Sequence, residues 1–139
     1  MSAESSPSTR YAEGANYSID VEGALAVCRV RSRRDLTMVE GAQLASEKVA
    51  LFRKLAASAT KGMVFDLSAA PAVIGPKTQE ALAQMLGVWQ LARKPIALVS
   101  GSNALQQLQL RRLAAGFAET AAMFETEPQA REWLLTRVR

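Results

Sequence analysis

Three short apolar runs constrain this chain more than anything else in it. They are Met63-Val64-Phe65-Asp66-Leu67, Ile96-Ala97-Leu98-Val99 and Ala121-Ala122-Met123-Phe124. Each is too short for a helix, and each is followed by a segment whose apolar residues recur every three or four positions. A strand that is apolar at nearly every position needs cover on both faces. Strands that alternate with helices pair in parallel through right-handed crossovers. The pattern therefore predicts an α/β domain.

The flanking segments complete the order. Tyr17 to Glu22 and Leu25 to Arg31 alternate in character around Gly23, which predicts a hairpin with a tight turn at Glu22-Gly23-Ala24. On the second of these strands Arg29, Arg31 and Arg33 share one side and Cys28 and Val30 the other, so the arginines read as a charged edge. Asp35 to Ala57 reads as a helix with Thr37 and Glu40 at capping-box spacing. Its apolar stripe is Met38, Ala42, Ala45, Val49, Phe52 and Ala56, with Lys48, Arg53 and Lys54 pointing away. Pro76 suits the first position of a second helix, whose inner face is Thr78, Ala81, Leu82, Met85, Leu86 and Trp89. Ser102 is expected to cap a third helix marked by Leu105, Leu108, Arg112 and Leu113, with Leu110 off its stripe. Thr126 and Gln129 start a fourth, with Ala130, Trp133, Leu134 and Val138 inward. The expected order is ββαβαβαβα in one mixed β-sheet, one domain over residues 17–139, preceded by a polar disordered tail, 1–16.

Composition excludes more than it assigns. The 139 residues contain no histidine, which removes Ser-His-Asp and Cys-His catalysis and histidine-based metal sites. One cysteine, Cys28, allows no disulfide within the chain and reads as a small buried hydrophobe. No apolar run approaches the ~18–20 residues that span a bilayer. The opening MSAESSPSTRYAEGAN has no apolar signal region, so a cytoplasmic protein is expected. The net charge of +4 permits an acidic partner without requiring one.

The order of elements and several local features resemble the STAS domain family, known from bacterial anti-sigma-factor antagonists and the tails of sulfate transporters. The carrying residues are Val64-Phe65-Asp66-Leu67-Ser68 with the loop and helix after it, Ile96 to Val99, and Met123-Phe124 with Ala130-Arg131-Glu132-Trp133-Leu134. The resemblance implies a pattern D-L-S-x-V-x-x-I-D-S-x-G, whose last serine is phosphorylated to control partner binding. Asp66, Leu67 and Ser68 match it, Ala70 stands at the Val and Val73 at the Ile. Ile74 stands at the Asp, Gly75 at the phosphoacceptor serine and Lys77 at the Gly, so the switch hydroxyl is gone. Ser68 and Thr78 are the neighbouring hydroxyls that remain as alternative phosphosites.

These readings favour a non-catalytic protein-binding or regulatory module. Its contact surface is expected at the loop Pro71 to Lys77 and the helix after it, with Ala72, Val73, Ile74, Gly75, Pro76, Lys77 and Thr78 as candidate partner-binding residues. No cofactor, metal or catalytic residue is assigned. Three alternatives stand beside it. One is a small-molecule or lipid-binding domain of related fold, of which the CRAL-TRIO type is larger and deeper. Another is an enzyme using Asp66 with Lys77, or Asp66 with Ser100 and Asn103. The last is nucleic-acid binding through Arg29, Arg31, Arg33 and Arg34, or Arg111 and Arg112, for which few aromatics are available to stack on bases. A homodimer through spare leucines on the second or third helix is compatible with any of these.

Overall fold

A right-handed connection between neighbouring parallel strands places its helix on one fixed side of the sheet. When the strands lie in chain order, successive crossover helices therefore share a face. The computed structural model follows this rule; it describes residues 8–33, 35–71 and 75–138. Its elements are β1 (Ser8–Gly14), β2 (Tyr17–Glu22), β3 (Leu25–Arg31), α1 (Met38–Ala56), β4 (Gly62–Ala69), α2 (Pro76–Leu91), β5 (Ile96–Val99), α3 (Ala104–Ala115), β6 (Ala121–Phe124) and α4 (Glu127–Leu135). Among the described residues one sheet runs β1-β2-β3-β4-β5-β6, antiparallel across the first three strands and parallel from β3 to β6. The domain is α/β with a mixed sheet, as the three apolar runs require.

One strand was not expected. Ser8–Gly14 falls within the predicted tail, yet it pairs with β2 as an edge strand, so the order is βββαβαβαβα. Its sequence, STRYAEG, has no apolar alternation because five of its seven positions are exposed. Backbone pairing and a bond from Arg10 Nε to Asp20 Oδ1 of 2.6 Å hold it. Gly14 is required there, since a side chain would collide with the ring of Tyr17 opposite. Because β1 and β2 lie outside it, β3 is an interior strand and its arginines do not form a sheet edge. The β2–β3 turn is the expected one: Gly23 has φ +62° while Ala24 stays at negative φ, the pattern of a type II′ hairpin.

Residues of β4 alternate between two cores. Met63, Phe65 and Leu67 face α1, α2 and α3, while Val64 faces α4. On the first side Phe52 of α1 meets Phe65 edge-on at 4.9 Å, and the indole of the fully buried Trp89 donates to the Phe52 carbonyl at 3.1 Å. On the second side α4 sets Ala130 and Leu134 over Val27, Val64, Ala97 and Val99. A chain of charges ties α4 to the early strands. Arg29 forks onto Glu127 at 2.8 and 2.9 Å, and Arg131 bonds Glu22 at 2.8 Å.

Caps and stripes adjust the helices. Thr37 and Glu40 form the expected capping box on α1, but Met38 is 93% exposed and the buried stripe starts at Leu44. Lys48 is on that stripe, not away from it, and is only 5% exposed. Asn103, not Ser102, caps α3, accepting from the Gln106 amide at 2.8 Å. The buried positions of α3 are accordingly Gln106, Leu110 and Ala114, with Leu105 and Leu108 exposed. Leu110 is fully buried, and Gln106 replaces an expected apolar residue by donating its amide to the Leu67 carbonyl at 2.7 Å.

Two acids on this side of the sheet set the alkaline behaviour. Burial pushes the Cys28 thiol up to about 12. Burial, then the bond to Glu47, raises the Tyr17 phenol to about 12. Above the ordinary thiol range the unfolded chain has released protons that the folded chain keeps, so stability falls as pH rises toward 12. Urea unfolding between pH about 8 and about 11 should show that fall, and Cys28→Ala should show a shallower one. Equal slopes would remove the thiol from the account.

Candidate functional site: a hollow between the first two helices

In open α/β sheets the carboxyl ends of parallel strands are where the chain turns away and leaves space. Here β3 and β4 run side by side, with Cys28 opposite Phe65 and Arg29 opposite Asp66. Each then feeds a helix on the same face, and both helices begin at this edge. Between them is a hollow of about 210 Å³. Its apolar walls are Val30 and Leu36, Phe65 and Leu67 of β4, and Leu82 and Met85 of α2. Thr37, Gly41 and Ala45 line it from the α1 side, and Pro71, Gly75 and Thr78 from the α2 side.

Its polar members are Asn16, Arg31, Arg33 and Lys48. The Lys48 ammonium donates to Asn16 Oδ1 at 3.4 Å and lies 4.9 Å from the centre of the Tyr17 ring. Tyr17 in turn donates its hydroxyl to Glu47 at 2.9 Å. Burial holds the Lys48 pKa below the usual lysine range, against the pull of the neighbouring Cys28 and Glu47. Arg33 donates to Asp35 Oδ1 at 2.8 Å and to the Ala15 carbonyl at 3.1 Å, and that pairing holds the Asp35 carboxyl down at about 2.

The predicted contact residues divide. Ala72, Val73 and Ile74 lie outside the described residues. Gly75 is the N-cap of α2, without a side-chain cap, and Pro76 is its first residue, as the spacing predicts. Lys77 is exposed; Thr78 is half-buried and faces the hollow.

Of the predicted catalytic combinations, Asp66 with Lys77 is not assembled. Asp66 alternates with Phe65 and so lies on the α4 face, whereas Lys77 is on a helix of the opposite face. Asp66 accepts from the Ser68 amide at 2.9 Å and the Ser68 hydroxyl at 2.6 Å. Burial acts to raise the Asp66 pKa, but hydrogen bonds with Glu127 and Ser68 and the charge of Arg29 outweigh it, and the net shift is downward. Ser100 is buried and donates toward the carbonyls of Gly101 and Phe124, at 3.2 and 3.4 Å. Asn103 is committed as a cap. Gly101 has φ +69° and packs so closely on Ser68 that a Cβ there would meet the Ser68 Cβ at 2.9 Å. Among the described residues no three Asp, Glu, Cys or His side chains are placed to hold a metal ion.

The predicted basic cluster is also divided. Arg29 is paired with Glu127 and, at 3.5 Å, with Asp20; Arg33 is paired with Asp35. Arg31, Arg111 and Arg112 are exposed, and Arg34 lies outside the described residues. Lys48 is the residue that sequence reasoning missed. Its spacing was the signal: Leu44, Ala45, Lys48, Val49 and Phe52 follow the helical period, and all five are buried.

Against protein-family models, curated proteins and solved structures, nothing matches this chain.

Gly75 adopts φ −71° and ψ 165°, an extended conformation open to any residue, and a Cβ there meets nothing within 4 Å. Gly75→Ser should therefore supply the missing cap and reduce the conformational freedom of the unfolded chain, raising stability by about 0.5–1 kcal/mol in urea denaturation. A loss of stability would contradict this open, uncapped geometry.

Proposed function

We propose that the chain is a non-catalytic regulatory module of STAS type that binds a protein partner at the corner where α1 and α2 begin, without a phosphoserine switch. The observation that carries this reading is the exposure of Met38, 93%, and Val39, 68%, at the start of α1. Two adjacent large apolar side chains held in water favour a partner that covers them. They lie beside Thr37, which lines the same hollow as Gly75 at the start of α2. Two helix N-termini at one edge, with the exposed Lys77 and Arg31, favour a partner surface that is apolar and rimmed with carboxylates. The commitment of Asp66, Ser100 and Asn103 to bracing loops supports a binding role over a catalytic one. The paired state of Arg29 and Arg33 counts against a nucleic-acid surface on β3. No helix among the described residues is long and apolar enough to cross a membrane.

The test compares two surface variants. Met38→Asp with Val39→Asp alters the proposed face, and Leu135→Asp alters an exposed leucine on α4, 62% accessible. Cross-linked capture of partners by the first variant should fall about tenfold relative to wild type, the loss of about 1.4 kcal/mol, while the second captures as wild type does. Equal capture by both variants would reject the corner as the docking face.

A further inference from the structure

Glycine inside a helix costs roughly 0.5–1 kcal/mol relative to alanine. Gly41 stands in the first half of α1, lines the hollow, and a Cβ built on it meets nothing within 4 Å. Gly75, across the hollow at the start of α2, is open in the same way. Side chains fit at both positions, and the hollow keeps its volume because neither carries one.

Its charge is one-sided. None of the described residues lining it is acidic, while Lys48, Arg31 and Arg33 are basic. The Lys48 ammonium has three protons to donate. It is 5% exposed, and its contacts are one 3.4 Å bond to Asn16 and the face of Tyr17. Among the described residues no carboxylate stands within ion-pair distance of it; the neighbouring Glu47 receives the Tyr17 hydroxyl. A buried cation without a counter-charge is costly, and an anion beside it removes much of that cost.

We propose that this hollow binds a small monocarboxylate with a compact apolar tail, its carboxylate on Lys48 and Asn16 and its tail against Phe65, Leu67 and Met85. The inference goes beyond the docking role, because a ligand can occupy the hollow whether or not a protein covers the corner. Size selects the tail. At the ~30 Å³ that a water molecule takes in the liquid, 210 Å³ holds roughly seven such groups, which suits an acid of about six carbons and not a long-chain lipid. Inorganic phosphate has no tail and would leave the apolar wall unused.

The experiment is a titration of the isotope-labelled full chain with hexanoate, followed by amide NMR shifts, with hexanol and acetate as controls for charge and tail. Hexanoate should move the resonances of the residues lining the hollow. Lys48→Met should weaken it by about tenfold or more, since the tail contacts remain and the ion pair is gone. Gly41→Leu fills the space from α1 without a clash at Cβ and should abolish binding, so the proposal stays testable if Lys48→Met does not fold. The proposal is overturned if hexanoate at about 10 mM leaves those resonances in place. It is also overturned if hexanol or acetate binds as well as hexanoate, or if Gly41→Leu binds it like wild type.

Discussion

Strands β4 and β5 carry apolar side chains to both faces of the sheet, and most of the structure follows from the need to cover both. Met63, Phe65, Ile96 and Leu98 point one way; Val64, Ala97 and Val99 point the other. Right-handed crossovers between strands laid in chain order commit α1, α2 and α3 to the first face. Only the helix that follows the last strand is free of a crossover, and α4 is the one that covers the second. Its cover is narrow, so the bidentate Arg29–Glu127 pair and the Arg131–Glu22 pair extend its hold beyond the apolar contact. Such part-exposed pairs contribute little singly, about 0–1 kcal/mol, but they fix where the helix lies.

The hollow depends on the element that is hardest to see. Strand β1 brings only the half-buried Ala12 against the main core, yet its turn into β2 supplies Asn16, and Tyr17 begins β2 with its ring over Gly14. Those two residues are the neighbours of the Lys48 ammonium. The edge hairpin, the middle of α1 and the mouth of the hollow are thus mechanically one unit.

How much of this was written in the sequence varies with the physical origin of each feature. The last two strands were readable to the residue because each is a short unbroken apolar run: Ile96–Val99, buried throughout, and the edge strand Ala121–Phe124 lie where they were expected. Caps with side-chain chemistry were readable at Thr37 and Thr126. Strand β1 was not, since an exposed edge is held by backbone bonds that any sequence can make. On α3 the leucines misled, because a buried glutamine that donates to the Leu67 carbonyl took a core position and shifted the inner face. Lys48 was misassigned for a similar reason. Its spacing placed it inside, and only its charge argued otherwise; the ring of Tyr17 and the amide of Asn16, far away in the chain, make that burial tolerable.

Sequential strand order also governs how such a chain assembles as it is synthesised. Every strand docks against the one made just before it, so no gap in the sheet waits for a later segment, and contacts are closed over short stretches of chain. The exception is the second face. Val27, Val64, Ala97 and Val99 stay bare until the segment after β6 emerges and α4 folds down. The nascent domain therefore carries a greasy, unprotected back until α4 is made, and that helix works as the closing latch.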